Sequence, residues 1–388
     1  MRILHTADWH IGKRLYGVDR MAESEAVLAE VRDIAAAEGA DAVLVAGDLL
    51  DRRLIDPACL GACLAAMQAL AEVAPVVAVT GNHDDPALWE HLAPYLAPCG
   101  ITVVGRVRGA VEEAVLTVPT AAGPLHVAAL PWLETERLGL APGADRLRAR
   151  GTYAEDVAGI LGLLAGELRA RRAADGGPAV LLGHLLVDGA AAGGGERELT
   201  MGISYAVTAH AVPADLDYLA LGHVHRPQPV PRVHAPGRYA GSPLALDFSE
   251  DNHAKGVVVA ELGRDVTEVR EVPLTAGRPL ARIRGPLEEL PRLAAAHDGA
   301  YLLCEVELER VALDLVREVR ELLPDALRVE PRYAEAAAVA GDDGGPDGGE
   351  PRTLPEHYED WHAAAGRPLD PRQAEAFAAA LAAAEPAP

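Results

Sequence analysis

The chain has 388 residues and a formal net charge of −23, with 58 acidic residues against 35 Lys plus Arg. This length is typical of about two domains, and the apolar half of the residues is enough for a sizeable core. A protein that held DNA by its whole surface would be basic, so the charge excludes that mode of binding. Either the substrate is not a polymer, or bound cations and a partner supply the positive field.

The chain shows no pattern for secretion or membrane insertion. Its first residues lack the apolar stretch and cleavage site of a signal peptide, and no apolar run approaches the ~20 residues that a membrane span needs. The four cysteines are not spaced as a metal site of paired cysteines, so we expect them to be reduced. These features predict a cytoplasmic protein without a membrane segment.

The first two thirds of the chain alternate short apolar runs with helical patterns, which predicts a layered α/β domain. Predicted strands cover residues 3–6, 42–46, 75–80, 114–118, 125–130, 179–183, 217–222 and 256–262. Predicted helices cover 21–38, 57–72, 86–97 and 154–172. Gly39 ends the first helix, and Pro57 suits the first position of the second.

A second unit begins near Arg278. Its pattern predicts a strand at 279–284, a helix at 287–296, a strand at 300–308, a helix at 311–323 and a strand at 326–331. The segment 341–350 is rich in Gly and Asp and cannot bury apolar surface, so it predicts a flexible linker. The sequence therefore predicts domains at 1–275 and 276–338, a linker at 339–352 and a helical tail at 353–388.

Five short polar segments each follow an apolar predicted strand. They are Asp-Trp-His at 8–10, Gly-Asp-Leu-Leu-Asp at 47–51, Gly-Asn-His-Asp at 81–84, Gly-His at 183–184 and Gly-His-Val-His at 222–225. Ligands of open α/β sheets bind outside the carboxyl ends of the strands, so five strand ends can deliver these groups to one place. A glycine at a strand end lets the backbone turn sharply toward that place.

The donor atoms of these segments form a mixed oxygen and nitrogen set. Two carboxylates, one amide and four imidazoles are available, from Asp8, Asp48, Asn82, His10, His184, His223 and His225. Mn, Fe, Co or Zn suit such a set better than Mg or Ca. Each segment alone has an ordinary explanation as a turn or a surface pair, but the combination favours two metals that act on a phosphoryl group.

The order and spacing of these segments resemble the calcineurin-like metallophosphoesterases, and within them the SbcD-type nucleases. The resemblance is carried by the opening Met-Arg-Ile-Leu-His-Thr-Ala-Asp-Trp-His-Ile-Gly and by residues 45–51, 217–226 and 239–244. It covers residues 1–335 in order and is strongest over 1–250. It implies a β-sandwich flanked by helices, a small α+β capping domain and a helical C-terminal tail.

The resemblance also implies a role for each donor residue. The first metal would be held by Asp8, His10 and His225, the second by Asn82, His184 and His223, and Asp48 would bridge both. The metals implied are two divalent ions, typically Mn²⁺, and they would activate a water as the nucleophile.

Two further residues are implied to act beside the metals. His83 would not be a ligand; it would face the scissile phosphate and stabilise the leaving oxygen or donate a proton to it. Asp84 could orient the His83 imidazole, or it could be an ordinary turn carboxylate.

The activity implied is that of an exonuclease on double-stranded DNA ends and an endonuclease on single strands and hairpins. No Gly-x-x-x-x-Gly-Lys-Ser/Thr motif occurs in the chain, so ATP hydrolysis would belong to a separate ATPase of the SbcC type. The helices at 57–72 and 86–97 resemble the dimer helices of the family, although ordinary core helices would give the same pattern. A homodimer within a heterotetramer is therefore expected.

Two other functions remain open at this point. A phosphodiesterase for a cyclic nucleotide or another small diester would suit the acidic charge, although the extra domain and the tail argue against it. A non-catalytic scaffold would be expected to have lost ligands, and all seven implied ligand positions are occupied.

The tail contains two short apolar stripes. Leu354, Tyr358 and Trp361 recur at helical spacing, and Phe377 and Leu381 follow in a second predicted helix. Helices this short are marginal alone, so the stripes need a surface. We expect that surface to be the ATPase partner; the alternative is that the stripes dock on the rest of the chain.

Overall fold

The computed structural model describes residues 1–107, 114–134, 146–193, 205–250, 254–263, 267–308, 312, 314–333, 355, 358, 362, 369–374 and 376–377. Residues up to Arg332 form one compact unit, and those from Tyr333 onward form a second. The predicted linker at 339–352 lies outside the described residues. None of the helices in the described ranges is long and apolar enough to cross a membrane.

The first unit contains six α-helices and seventeen strands within the described residues. The helices are α1 (Met21–Glu38), α2 (Pro57–Ala71), α3 (Pro86–Leu96), α4 (Arg146–Asp175), α5 (Leu290–Ala294) and α6 (Leu315–Leu322). The first nine strands are β1 (Arg2–Thr6), β2 (Ala42–Ala46), β3 (Val76–Val79), β4 (Ile101–Val104), β5 (Val115–Thr120), β6 (Gly123–Leu130), β7 (Ala179–His184), β8 (Leu186–Val187) and β9 (Ala206–Val207). The others are β10 (Tyr218–Gly222), β11 (Gln228–Pro229), β12 (Gly237–Tyr239), β13 (Gly256–Leu262), β14 (Thr267–Pro273), β15 (Leu280–Gly285), β16 (Tyr301–Leu308) and β17 (Ala326–Tyr333).

Two six-stranded sheets form the centre of this unit. Their strand orders are β14-β13-β1-β2-β3-β4 and β11-β12-β10-β7-β6-β5. The strands β1 to β4 run parallel to one another, and so do β6, β7, β10 and β12. Parallel strands place their carboxyl ends at one edge of a sheet. The polar segments follow these strands in sequence, so they lie at that edge.

The two sheets pack face to face and are covered by helices on their outer faces. Leu44 and Val77 from the first sheet lie in one buried cluster with Leu182 and Tyr218 from the second. A second cluster joins the first sheet to α1, α2 and α3, and a third joins the second sheet to α4. The predicted β-sandwich flanked by helices is therefore confirmed.

The strand and helix predictions were mostly correct, with identifiable errors. The helix α1 and the strands β2 and β13 have the predicted bounds. The helix predicted at 154–172 begins earlier, at Arg146, and the one predicted at 287–296 is divided into two 3₁₀ segments around the short helix α5, which contains Pro291. The strands β4 and β14 were not predicted.

The strands β15, β16 and β17 form a separate three-stranded sheet with its own core. The opposite face of this sheet packs on the sandwich, where Leu280, Tyr301 and Leu303 contact Leu15 and Phe248. In the second unit, the described aromatic rings of Tyr358 and Phe377 stack at a centroid distance of 4.1 Å. The predicted stripe residues Leu354, Trp361 and Leu381 lie outside the described residues.

Candidate metal centre

The polar segments converge because the two sheets face each other. The strands β1, β2 and β3 belong to one sheet, and β7 and β10 belong to the other. The strand β2 packs against both β7 and β10 across the sandwich. The five carboxyl ends therefore meet, and none of the seven predicted donor residues is more than 5% exposed.

Several donor residues have a backbone conformation that is unusual for a residue with a side chain. Asp8, His10, Asp48 and His223 have φ angles of 52°, 45°, 50° and 93°. Residues other than glycine rarely adopt positive φ, and such strain persists only where the surrounding structure enforces it. The strain is concentrated at the predicted centre, which supports a functional origin.

Two glycines of the polar segments are required by close contacts. A Cβ atom at Gly222 would overlap the carbonyl oxygen of Ala46, and one at Gly81 would overlap the carboxylate of Asp48. Neither neighbour can move freely, because one is main chain and the other lies inside the centre. Gly222 thus allows the strand ends of the two sheets to approach each other, and Gly81 allows the turns after β2 and β3 of one sheet to do the same.

The first group of donors lies around Asp8. The donor atoms of Asp8, His10 and His225 all lie within 4.8 Å of one another. The Nε2 atoms of His10 and His225 are 3.2 Å apart. The structure therefore brings together the three residues that the family resemblance implies for the first metal.

The second group is centred on the amide oxygen of Asn82. Its Oδ1 atom lies 3.0 Å from Nε2 of His184 and 3.1 Å from Nδ1 of His223. These are the three residues that the family resemblance implies for the second metal, and they too are brought together.

Asp48 lies between the two groups. Its Oδ2 atom is 3.4 Å from Nε2 of His10 and 3.5 Å from Nε2 of His184. Its Oδ1 atom accepts a hydrogen bond from the backbone N–H of His83 at 2.8 Å. One carboxylate therefore faces both groups, as a bridging ligand must.

The arrangement of lone pairs fits a bound cation. Nδ1 of His184 lies 2.8 Å from the carbonyl oxygen of Ala46, which can only accept, so this nitrogen carries a proton. In the neutral ring, Nε2 then points a lone pair at the oxygens of Asn82 and Asp48. These three hydrogen-bond acceptors face one another and repel unless a cation lies among them. Carboxylate, amide and imidazole groups are suitable ligands for a divalent metal.

The protonation states also suit metal binding. Burial lowers the pKa of His10 and of His184, and it lowers the pKa of His223 still further. The imidazoles are therefore neutral at pH 7, the form that binds metals. Burial alone would raise the pKa of Asp48. In the acidic range where this carboxyl titrates, protonated His184 and His10 and the backbone N–H of His83 outweigh burial and lower that pKa.

His83 lies beside the centre. Its Nδ1 atom donates to the carbonyl oxygen of Asp51 at 2.7 Å, and its ring meets the ring of His10 edge-on at a centroid distance of 4.6 Å. A donor atom of His83 also lies within 4.8 Å of donors of His10 and Asp48. This position suits the predicted action of His83 on the phosphate.

The carboxylate of Asp84 binds backbone N–H groups, whereas a residue that orients His83 would bind its imidazole. Its carboxylate accepts hydrogen bonds from the backbone N–H groups of Leu49, Leu50 and Gly81 at 3.2, 3.0 and 2.9 Å. These contacts favour the alternative that the sequence left open, a carboxylate that holds the turns after β2 and β3. Burial and the negative charge of Asp48 raise its pKa.

Three residues near the centre were missed by the sequence analysis. Glu250 is fully buried and faces Nδ1 of His225. The main-chain carbonyl oxygen of Asp51 accepts a hydrogen bond from the imidazole of His83. The indole of Trp132 stacks on the ring of His223 at a centroid distance of 5.0 Å. Asp51 belongs to one of the polar segments, which was a usable signal, whereas Glu250 and Trp132 lie in no recognisable motif.

Comparisons with known proteins agree with this geometry. The family model described as "Calcineurin-like phosphoesterase" matches residues 1–227, which is more than half of the chain. The model described as "Type 5 capsule protein repressor C-terminal domain" matches residues 276–347. The fold and the site thus define a metallophosphoesterase, a hydrolase of phosphoester bonds.

Curated relatives narrow this class. The SbcD component of the SbcCD nuclease from Bacillus subtilis (strain 168) is 33% identical over 348 residues, which cover 86% of each chain. Its namesake in Rhodobacter capsulatus is 35% identical over 319 residues, covering 78% of this chain and 76% of that one. The Escherichia coli (strain K12) protein of this name is 28% identical over 355 residues, covering 85% of this chain and 84% of that one. The chain belongs to the SbcD nuclease family, and the resemblance seen in the sequence is confirmed.

Proposed function

We propose that the chain is the nuclease component of an SbcCD-like DNA repair and recombination complex and that it hydrolyses DNA with two Mn²⁺ ions. The observation that supports this most strongly is the position of Asp48, whose Oδ2 atom lies 3.4 and 3.5 Å from imidazoles of the two donor groups. A carboxylate shared by two donor groups is what a two-metal centre requires.

Each donor residue then has a defined task. Asp8, His10 and His225 would hold the first ion, and Asn82, His184 and His223 would hold the second. Asp48 would contact both ions. When bound, the two cations neutralise charge on the phosphate and activate water as the nucleophile.

His83 acts on the substrate rather than on the metals. Its Nδ1–H group is engaged by the carbonyl oxygen of Asp51, so Nε2 is the atom that can serve the leaving oxygen. The rigid contact fixes the ring where that oxygen would depart. A positioned imidazole can donate a proton in this step at neutral pH.

The substrate proposed is DNA, with exonuclease action on double-stranded ends and endonuclease action on single strands and hairpins. Repulsion by a chain of net charge −23 has to be overcome. The two divalent ions supply four positive charges at the centre, and an ATPase partner of the SbcC type supplies further contacts. The domain limits at 275 and 338 and the partner-binding tail at 353–388 belong to the same proposal.

We also propose that the chain forms a homodimer through α2 and α3. The helix α2 contains no charged residue, although only Cys63, Met67 and Leu70 are buried within it. On α3, the side chain of Tyr95 is 78% exposed. Apolar faces of this kind suit an interface, and light scattering of the purified chain would detect the dimer.

A nuclease assay tests the proposal. The purified chain, alone and with its ATPase partner, is given a labelled hairpin and a blunt duplex in Mn²⁺, Mg²⁺ or Zn²⁺. We expect cleavage of both substrates that depends on Mn²⁺ and is strongly reduced in Asp8→Asn. Hydrolysis of a cyclic nucleotide without any DNA cleavage would favour the second candidate, a small-diester phosphodiesterase, for which the acidic charge is the supporting observation.

A further inference from the structure

A buried carboxylate lies behind the candidate centre. Glu250 ends the 3₁₀ helix Phe248–Glu250 and has no exposed surface. Its Oε1 atom lies 3.1 Å from Nδ1 of His225. Its Oε2 atom accepts hydrogen bonds from Lys255 and from the backbone N–H of Leu246, at 2.6 and 3.1 Å.

The burial of this charge needs an explanation. A buried carboxylate is costly unless it is paired and fully hydrogen-bonded. Lys255 provides the pairing, and its ammonium group also donates to Ser242 at 2.8 Å and to the carbonyl oxygen of His225 at 3.2 Å. One of the only two lysines in the chain is therefore used to hold Glu250 in place.

The contact with His225 has a fixed direction. An ionised carboxylate only accepts hydrogen bonds, so Nδ1 of His225 is the donor and Nε2 carries the lone pair. That Nε2 atom faces the centre, 3.2 Å from Nε2 of His10. The ion pair with Lys255 at 2.6 Å and the hydrogen bond from the backbone N–H of Leu246 stabilise the ionised form of Glu250.

The two groups of proposed metal ligands differ in the partner that binds the Nδ1 atom of an imidazole. His184 in the second group is held by a neutral group, the carbonyl oxygen of Ala46, at 2.8 Å. His225 in the first group is held by a full negative charge. A carboxylate behind an imidazole makes the ring a more basic ligand than a carbonyl does.

We propose that Glu250 is a positioning residue for the first metal, that it fixes the tautomer and orientation of His225, and that its charge makes the first metal site the tighter of the two. The inference rests on the proposed role of His225 as a ligand. Lys255 keeps the carboxylate in place.

The test is a calorimetric titration of the full chain with MnCl₂ after removal of metals by a chelator. The wild type is expected to bind two ions with unequal affinity. In Glu250→Gln the tighter site is expected to weaken by about 10–100-fold, while the weaker site keeps its affinity. Paramagnetic resonance at two equivalents of Mn²⁺ adds a second readout, because the spin-coupled pair of the wild type should give way to signals of isolated ions.

A matched control removes a similar carboxylate far from the centre. Glu305 is 6% exposed and pairs with Arg282 and Arg332 at 3.0 and 2.6 Å in the sheet of β15 to β17. Glu305→Gln should leave both affinities unchanged. If this control weakens the tighter site as much as Glu250→Gln does, the effect is a general loss of stability and the inference is wrong.

A double variant separates positioning from simple charge pairing. If Glu250 only neutralises Lys255, Glu250→Gln combined with Lys255→Met should restore the tighter site. Our inference requires the weakening to persist in the double variant, which also serves as the test protein if the single variant does not fold. Unchanged affinity in Glu250→Gln, or equal weakening of both sites, would overturn the inference. Failure of the wild type to bind two ions would instead refute the proposed function.

Discussion

Replacement of His83 by alanine separates metal binding from the chemistry at the phosphate. The side chain is 7% exposed, and its Nδ1 atom donates to the carbonyl oxygen of Asp51 at 2.7 Å. The backbone N–H of the same residue binds Oδ1 of Asp48 at 2.8 Å. Alanine keeps this backbone bond, so the proposed bridging ligand should stay in place while the imidazole is lost.

Two magnitudes follow from these contacts. Loss of a general acid lowers the rate by about 10²–10⁴-fold, which raises the barrier by about 3–5 kcal/mol. The carbonyl of Asp51 loses its donor, which costs about 1–3 kcal/mol of stability if water does not replace it. We therefore expect a folded, metal-loaded variant with very low activity.

The assay measures metal content by mass spectrometry and hairpin cleavage on the same preparation. His91→Ala is the matched control, because its imidazole lies on the exposed side of α3 with Nδ1 2.7 Å from the carbonyl oxygen of Ala87. The control should keep both metal and activity. A His83→Ala protein that has lost metal would show that His83 is a ligand, and the reasoning would be refuted.

Three more predictions concern the bridge, the sandwich and the tail. Asp48→Asn should lose more activity than Asp8→Asn, since a bridging carboxylate neutralises two cations; near-wild-type cleavage by Asp48→Asn at low Mn²⁺ would contradict this. Burial lowers the pKa of His5 from 6.5 to about 3. Between these pH values the unfolded chain binds a proton that the folded chain does not. The free energy of unfolding therefore decreases as pH falls below 6.5, by about 2 kcal/mol at pH 5. His5→Gln, which can still bond to Tyr218, should lose less stability over this range in denaturant titrations, and an identical pH dependence would argue against the assignment. Deletion of 353–388 should leave melting and Mn²⁺-dependent activity unchanged but abolish co-purification with the ATPase, and a large fall in melting temperature or an intact complex would show that the tail has another role.

The parts of the fold that the sequence predicted depend on local patterns. Gly39 ends α1 with a φ of 62°, where glycine is favoured, and Asp56 caps α2 ahead of the proline at its first position. The strand β14 was missed because charged residues interrupt it and most of its residues are exposed, so it lacks the apolar run of a central strand. Its position is set by pairing with β13, which a local pattern does not encode.

The candidate centre also contains residues that local sequence predicts and residues that it does not. The donor residues lie directly after apolar strands, so residue type and spacing were enough to group them. Glu250 and Trp132 were missed because each reaches the centre through contacts that exist only in the folded chain. Glu250 meets His225 across 25 residues of sequence. Trp132 follows β6 and contacts His223, which follows β10 of the same sheet.

The central claim is that two metals share Asp48. Anomalous diffraction from crystals soaked in MnCl₂ tests it most directly. The account predicts two peaks about 3.5–4 Å apart, with the carboxylate of Asp48 in contact with both. A single peak, or two peaks of which Asp48 contacts only one, would contradict it.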